Sequence, residues 1–304
     1  MAEDARRDLE HDLDPASPSI DPGEIDWSAV RSCRYLTHQT FSYEYPRPIR
    51  DLRHQLMVIP PETFGDQQRT VYSLEVSVPG KVITRVDAFA NLVVDVRIPL
   101  VERAIDFDVW VSIERTGPPA PRVVPLEWLY EPRFLAPTPR TMPDAAIEAA
   151  AAELRASGAT GLDLVERVNT WVYRTMAYVP DVTSVRTTAG MALALGGGVC
   201  QDYSHIMIAI CRELGLPALY VSGHLLGEGG THSWVEVLLP GVDGASVLGW
   251  PFDPTHGRRA DLTYLTVAVG RDYGDVAPTS GSYRAGHGGS LRARKEARIV
   301  EASY

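Results

Sequence analysis

The chain has 304 residues, of which 45% are hydrophobic, and its formal net charge at neutral pH is −10. This length allows one large or two modest cores, and the acidic excess disfavours nucleic acid or an anionic membrane surface as the main partner. The three cysteines form no disulfide framework, and the charged N-terminal residues resemble neither a signal peptide nor a membrane span. We therefore expect a cytoplasmic protein.

The first third of the chain changes from a polar tail to a β-rich segment. Residues 1–32 combine acidic groups with prolines and few periodic apolar residues, which predicts a disordered acidic tail. Residues 33–116 have an apolar period of two, which predicts an antiparallel β-rich N-terminal domain. The alternating residues are Phe41, Tyr43 and Tyr45, then Leu74, Val76 and Val78, then Leu92, Val94, Val96 and Ile98, then Ile105, Phe107, Val109, Val111 and Ile113.

Prolines separate this segment from a helical one. Residues 117–143 are rich in proline but include aromatic residues, which predicts a linker packed on both domains. Asp144 is placed to cap an alanine-rich helix that ends near Ser157, and Asp163 is placed to begin a second helix. A short helix is expected from Met191 to Leu195.

The following segment predicts one helix and then three strands. Apolar residues at helical spacing follow Cys200 as far as Leu214, and Gly215 and Pro217 provide a stop. Strands are expected at 218–221, 233–239 and 247–252. We therefore assign 144–285 to an α+β catalytic core and predict that 286–304 form an exposed C-terminal tail.

The glycine run at 196–198 delivers Cys200 to the start of that helix. A helix N-terminus has unpaired N–H groups and a partial positive charge, which favour a thiolate over a thiol. The glycines allow a substrate backbone to approach the sulfur. The alternative is that Cys200 is a small buried apolar residue, as we expect for Cys211.

Two further residues complete a candidate catalytic group. His232 follows a glycine turn at the start of a strand, where it could act as base and acid for the thiol. Asp253 ends the next predicted strand, where it could orient the imidazole. Taken singly, His232 could be a surface residue and Asp253 a turn cap. Taken in order with Cys200, they form the constellation of a papain-like thiol enzyme.

Four separated blocks resemble the transglutaminase-like superfamily. They are 198–202, 215–223, 232–237 and 252–255, and the β-rich segment resembles the N-terminal domain of its bacterial members, as 270–278 resemble their closing segment. The resemblance implies a papain-like core, with Cys200 as nucleophile, His232 as base and acid, and Asp253 as orienting group. Ser233 stands where alanine is common, and His256 where asparagine is frequent, so His256 could change the charge of the cleft.

These assignments predict transfer of an acyl group from an amide through a thioester. The Cys200 backbone N–H is one expected oxyanion donor and Tyr178 a second, although a core tyrosine is the alternative for Tyr178. Asp202 is expected to support the helix start, and Trp234 to lie in the core. Glu236 is expected to be either exposed or paired, and an ion pair is expected between Arg271 and Asp272.

The expected substrate is a protein or peptide, with a primary amine or water as acceptor, and no cofactor or metal is expected. A zinc site drawn from Cys200, His205, His224, His232 and His256 is a second interpretation, but the spacings match no familiar ligand motif. A third interpretation is a non-catalytic peptide-binding module that keeps the cleft. The intact order of Cys200, His232 and Asp253 argues against that module.

Overall fold

The computed structural model describes residues 19–117 and 120–304 and has an α+β architecture, as predicted. The strands are β1 (Ser32–Glu44), β2 (Ile49–Leu56), β3 (Thr63–Phe64), β4 (Gln67–Val76), β5 (Lys81–Val86), β6 (Leu92–Val101), β7 (Ala104–Thr116), β8 (Arg122–Val124), β9 (Ala177–Tyr178), β10 (Gly197–Gly198), β11 (Ala218–Leu225), β12 (His232–Pro240), β13 (Val247–Asp253), β14 (Arg258–Arg259), β15 (Tyr264–Gly270), β16 (Thr279–Arg284) and β17 (Ser290–Ser303). The helices are α1 (Pro132–Leu135), α2 (Ala145–Ala156), α3 (Gly161–Thr175), α4 (Ala189–Leu195) and α5 (Cys200–Glu213), with 3₁₀ turns at Pro22–Glu24, Leu126–Tyr130 and Tyr273–Asp275.

Two antiparallel sheets form the N-terminal domain. One has the order β17-β1-β7-β4-β3 and the other the order β16-β2-β6-β5. The alternating apolar residues of β6 and β7 are buried in one core with residues of β1 and β2. The predicted β-rich domain is confirmed because a strand with one buried face requires this period of two.

The end of the chain differs from the prediction for 286–304. Instead of an exposed tail, Ser290–Ser303 form β17, which pairs with the whole of β1. Ile299 is fully buried, while most other side chains of the strand are charged, small or exposed. The sequence pattern did not predict this strand, because β17 contributes mainly backbone hydrogen bonds and few apolar side chains. Of the predicted tail at 1–32, residues 1–18 lie outside the described residues, and β1 already begins at Ser32.

In the C-terminal α+β core, helices α3 and α5 pack against a sheet of the order β14-β13-β12-β11-β15, and α2 and α4 pack on α5. Helix α5 lies at its centre and packs on β11 and β12, with nearly every side chain buried. Asp144 caps α2 by accepting the N–H groups of Ala146 and Ile147, as predicted. Helix α3 begins at Gly161, two residues before the predicted Asp163. The three predicted strands are confirmed as β11, β12 and β13.

The proline-rich segment joins the core sheet, because β8 pairs with β13. Arg122 of β8 forms a half-buried ion pair with Glu236 of β12, with Nε 3.0 Å from Oε1. Of the two possibilities for Glu236, the structure therefore shows the paired one. Any side chain at position 249 would displace Glu236, because a Cβ on Gly249 would lie 2.5 Å from the Glu236 carboxylate.

Side-chain amides attach the N-terminal domain to strand β15. Gln67 donates to the Thr266 carbonyl at 2.8 Å and accepts the Thr266 N–H at 2.9 Å, so its amide completes the strand like a backbone unit. Asn91 makes the same pair of bonds with Val269. These buried bonds fix β15 beside the strands that carry the candidate site.

Among the described residues, no helix has the length and apolar character needed to cross a bilayer.

Candidate active site

Cys200 is the first residue of helix α5 and its side chain is partly exposed, as the glycine run predicts. The carboxylate of Asp202 reaches back across this helix start. Its Oδ2 accepts the Val199 N–H at 2.8 Å and the Thr183 hydroxyl at 2.7 Å, which fixes the turn before the cysteine. Burial raises the pKa of Asp202 despite these bonds. Asp202 thus supports the helix start, as expected.

Glycine is required at position 198 for steric reasons. A Cβ on Gly198 would lie 2.5 Å from Asp202 Oδ2. Gly197 and Gly198 form β10, which pairs in parallel with β9, so the strand that leads to Cys200 lies beside Ala177 and Tyr178. The close approach of Asp202 therefore explains one of the glycines that precede the cysteine.

His232 and Asp253 meet because they lie on adjacent antiparallel strands. The register pairs Val235 with Phe252, so the start of β12 lies next to the end of β13. His232 Nε2 is 2.8 Å from Asp253 Oδ2, and both side chains are buried. This bond leaves Nδ1 of His232 for a partner on the opposite side of the ring, and Cys200 is among the groups whose proximity raises the pKa of His232.

Asp253 accepts five hydrogen bonds. Oδ2 accepts from His232, from Nδ1 of His256 at 2.7 Å and from the Tyr264 hydroxyl at 2.7 Å. Oδ1 accepts the backbone N–H groups of Thr255 at 2.8 Å and His256 at 3.3 Å. This carboxylate is therefore held rigidly, and its ionised form is favoured because five donors face it.

Electrostatics favour the charged forms of the buried pair. Burial alone would lower the pKa of His232, but the hydrogen bonds to Asp253 and Cys200 and the charges of both raise it to about 10. Burial would raise the pKa of Asp253, but its bonds to His232 and His256 lower it below its usual range. These contacts therefore favour the imidazolium form of His232.

His256 and Glu228 extend this pair into a ring of four side chains. The hydrogen bond to Asp253 is the main cause that raises the pKa of His256. Nε2 of His256 lies 3.0 Å from Glu228 Oε1, and Glu228 Oε2 lies 3.4 Å from His232 Nδ1. Glu228 thus reaches the nitrogen of His232 that Asp253 leaves free. His256 brings a second imidazole to Asp253, and the charge that it carries stays a prediction.

The other predicted residues surround the site. Tyr178 is 59% exposed, so the alternative of a core tyrosine is wrong. Burial of its hydroxyl and the nearby charges of Cys200 and Glu228 raise the pKa of Tyr178, so it remains a proton donor. Trp234 is buried, as expected, and its ring lies near that of His232 with centroids 6.3 Å apart.

The structure also shows the partners of Arg271 and Asp272 and the burial of Cys211. The predicted ion pair between Arg271 and Asp272 is wrong, because Arg271 instead pairs with Asp275 at 2.7 Å. Asp272 lies 3.4 Å from Arg140 and accepts the Gly274 N–H. Cys211 is buried, as expected, and burial raises its pKa to about 12.

One cluster in the described part of the chain has the spacing of a metal site. Ligand-type atoms of His232, Asp253 and His256 lie within 4.8 Å of one another. The ring nitrogens that face Asp253 already share its Oδ2, so the arrangement fits a hydrogen-bonded cluster. Two other members of the zinc interpretation, His205 and His224, are buried, and burial lowers their pKa values to about 3 and about 4.

Sequence reasoning missed Glu228 and Tyr264. Glu228 lies four residues before His232 in the glycine-rich turn, a proximity visible in the sequence. Tyr264 begins β15, which was not predicted although it contains the β-branched residues Thr266, Val267 and Val269. The turn and this strand bring both side chains to the histidine cluster only when the sheet forms.

Family models match two regions of the chain. The model of the transglutaminase-like superfamily matches residues 148–253, and that of the bacterial transglutaminase-like N-terminal region matches residues 35–114. The chain belongs to the transglutaminase-like superfamily. The core match includes Cys200, His232 and Asp253, and the superfamily match places the protein in a family of cysteine enzymes.

Relatives of this transglutaminase-like protein include uncharacterized proteins of Mycobacterium. It is 36% identical to one from Mycobacterium leprae over 37% of this chain and 42% of that protein, and 36% identical to one from Mycobacterium bovis over 39% and 40%. The matches thus span about two fifths of the length of these relatives. A candidate cysteine protease from Cytophaga hutchinsonii shares the fold, with a TM-score of 0.73, 18% identity and coverage of 90% of this chain and 92% of that one.

Proposed function

We propose that the protein is a cysteine acyltransferase or amidase in which Cys200, His232 and Asp253 form the catalytic triad. The observation that carries the proposal is the buried bond between His232 Nε2 and Asp253 Oδ2. It fixes the ring and leaves Nδ1 without a contact to Asp253, so we assign the proton transfer with Cys200 to this nitrogen, and Cys200 is among the groups that raise the pKa of His232. A thiolate paired with this imidazolium is the reactive form of such a site.

In the proposed reaction the Cys200 thiolate adds to the carbonyl carbon of a substrate amide. The carbonyl oxygen becomes an oxyanion, and Nδ1 of His232 gives its proton to the nitrogen of the leaving group. The carbon–nitrogen bond breaks, ammonia or an amine leaves, and a thioester remains on Cys200. An incoming amine or water then gives a proton to the neutral His232 and attacks the thioester, which releases the product and regenerates the thiolate.

Two donors are proposed for the oxyanion. The Cys200 N–H belongs to the first turn of α5, where helix N–H groups have no intrahelical carbonyl partner. The Tyr178 hydroxyl is supported by its exposure and by the effect of the Cys200 charge on its pKa. Both donors would stabilise the negative oxygen more than the neutral carbonyl, as catalysis requires.

The proposed substrate is a protein or peptide amide, and the reaction is transamidation, deamidation or amide hydrolysis. The mechanism needs no cofactor, since a thiol, an imidazole and a carboxylate supply the nucleophile and the proton transfers. What separates the three outcomes is the bond that breaks and the acceptor that reaches the thioester. A glutamine side chain releases ammonia, whereas a peptide bond releases a new N-terminus.

Intact-mass analysis with glutamine- and glycine-containing peptides tests this proposal. The protein is incubated with each peptide, with and without a primary amine, and the ammonia, cleavage and acyl-enzyme products are measured. Turnover is expected in the native protein and in the matched Cys211→Ala variant, and loss of turnover in Cys200→Ala. Peptide binding without turnover, together with no faster alkylation at Cys200 than at the other cysteines, would instead favour a non-catalytic binding module.

A further inference from the structure

Strand β5 is an edge of the N-terminal domain that lacks a second neighbour. It ends the sheet order β16-β2-β6-β5, and within the described residues β6 is its single strand partner. All six residues of β5 are exposed. Natural edge strands are usually short, carry charged side chains, or are interrupted by proline, bulges or covering segments, and β5 carries the charges of Lys81 and Arg85. Strand β5 has no proline, and its register with β6 shows no bulge.

The backbone groups that face outward can be assigned from the hairpin between β5 and β6. The Asp87 N–H donates to the Asn91 carbonyl at 3.1 Å, just beyond the paired strands. In an antiparallel pair, alternate residues direct their N–H and C=O groups to the partner strand. The N–H and C=O groups of Val82, Thr84 and Val86 therefore point away from β6, where a further strand could pair with them.

Apolar side chains accompany these free backbone groups. Val82 is 44% exposed, Ile83 40% and Val86 67%. Val82 is paired with Val96, which is buried in the domain core. Val82 and Val86 therefore lie on the core side of the sheet, at its uncovered margin. An added strand with apolar residues beside them would extend the existing core.

A row of cations crosses the opposite face of the same sheet. Arg53 of β2 is directly opposite Arg97 of β6, and Arg97 is directly opposite Lys81 of β5. Like charges in directly opposed positions destabilise a sheet. The nearby carboxylate of Asp95 binds Arg85 instead, at 2.9 Å, and within residues 19–117 and 120–304 no ion pair involves the three cations of the row.

The groove beside this row can admit an anionic group. Its volume is about 1040 Å³, and its charged lining consists of Arg53, Lys81 and Arg97 together with Asp51 and Arg284, which pair with each other at 3.1 Å. A Cβ on Gly80 would lie 2.7 Å from the Arg97 carbonyl, so the start of β5 approaches β6 as closely as glycine allows. This approach places Lys81 at the end of the row, next to the open edge. The protein as a whole has a net charge of −10, so a local excess of cations is specific to this face.

We propose that the edge of β5 binds an extended segment of a partner protein in which acidic residues alternate with apolar ones. The segment adds to the sheet as a fifth strand through the free backbone groups of Val82, Thr84 and Val86. Its apolar side chains pack beside Val82 and Val86, and an acidic side chain opposite Lys81 neutralises the cation row. Main-chain bonds give such complexes their affinity, and the alternate side chains give specificity.

Fluorescence anisotropy with labelled peptides tests the proposal on the full chain. The probe alternates glutamate and valine over eight residues, and the control peptide replaces each glutamate by lysine. We expect the acidic peptide to bind and the basic one not to, with binding weakened by salt because charge pairing contributes. Lys81→Glu should weaken the binding of the acidic peptide by about tenfold, which is the equivalent of one charge-assisted contact.

Thr84→Pro separates strand addition from charge attraction alone. Proline removes an N–H that points away from β6, so it should abolish peptide binding while the β5–β6 bonds remain. Thr84→Ala is the matched control and should bind as the native protein does, and an unchanged Cys200 alkylation rate shows that both variants are folded. Equal binding by the proline and alanine variants would overturn the proposal. So would a concentration-dependent dimer that Thr84→Pro dissociates, because the occupant would then be a second copy of the chain.

Discussion

Replacing Asp253 by asparagine removes the charge that holds His232 as an imidazolium while it keeps the size of the side chain. In the native protein one oxygen, Oδ2, accepts from His232, His256 and Tyr264. An asparagine presents one carbonyl oxygen and an NH₂ group, so a donor must face another donor at this point. The expected results are a lower pKa of His232 and loss of the fixed orientation of its ring.

The size of the effect follows from the pKa of His232. Raising this pKa from 6.5 to about 10 corresponds to roughly 5 kcal/mol in favour of the imidazolium, at about 1.4 kcal/mol per pKa unit. Asp253 and Cys200 both contribute, so we assign about 2–3 kcal/mol to Asp253 and expect its loss to lower the pKa by about two units. Because the folded pKa lies above the unfolded one, the stabilisation is complete below pH 6.5 and is lost as pH rises towards 10.

The pH dependence of Cys200 alkylation by iodoacetamide measures the effect of Asp253 on His232 without a substrate. The native protein should react as a thiolate–imidazolium pair at pH 6–7, and Asp253→Asn should react about 10–100-fold more slowly there, since a fall of about two units in the pKa of His232 lowers the ratio of the thiolate–imidazolium pair to the neutral pair by up to about 100-fold. Asp243→Asn is the matched control, because Asp243 lies in an exposed turn and accepts only local bonds. Identical pH profiles for the native protein and Asp253→Asn would refute the assigned role of the carboxylate.

Three further changes test other contacts. Gly198→Ala should lower the free energy of unfolding by about 1–3 kcal/mol in urea, because the added Cβ overlaps the carboxylate behind the helix start. Arg122→Ala should lower it by about 3–5 kcal/mol, because it leaves Glu236 buried without its partner. Glu228→Gln should lower the pKa of His256, which the Glu228 charge helps to raise, as followed by NMR titration of the imidazole.

Matched control variants separate the proposed contacts from general effects of substitution. Gly229→Ala has open space for its Cβ and should leave the unfolding free energy nearly unchanged, so an equal loss in both glycine variants would contradict the steric argument. Arg167→Ala removes an exposed arginine paired with Asp163 and should cost less than 1 kcal/mol. A His256 titration that is the same with and without Glu228 would show that the two side chains do not interact in solution.

The positions of Cys200, His232 and Asp253 could be predicted because each marks the end of an element. Helical periodicity after the glycine run located the start of α5, and alternation located the start of β12 and the end of β13. These signals are local, extending over one turn or one strand. The meeting of His232 and Asp253 needed only the expectation that neighbouring strands pair as antiparallel, whereas the inclusion of Cys200 rested on the order of the three residues and on the family resemblance.

Other parts of the fold depend on contacts that are distant in sequence. Strand β17 pairs with β1 although the paired residues are about 250 positions apart in the sequence, and its alternating charged and small side chains give no clear apolar face. Strand β15 is also held by amides of the N-terminal domain, such as that of Gln67. Sequence patterns predict the faces of single elements well, but they do not show which distant segment completes a sheet.

The ring around Asp253 shows the same limit at the site. His256 was expected to alter the cleft charge, but its bond to Asp253 and the approach of Glu228 to both histidines depend on how two turns fold over the sheet. Residues near in sequence can therefore be identified as candidates, whereas their atom-to-atom partners cannot. For the same reason Arg271 pairs with Asp275, one turn away, and not with the adjacent Asp272.

Trapping the acyl-enzyme tests the central claim most directly. The protein is mixed with a glutamine-containing peptide, quenched in acid and analysed by intact mass and peptide mapping. The account predicts a covalent adduct on Cys200 with the mass of the peptide less ammonia, released by hydroxylamine and absent from Cys200→Ala. Undiminished turnover in Cys200→Ala, or an adduct on another residue of the native protein, would contradict it.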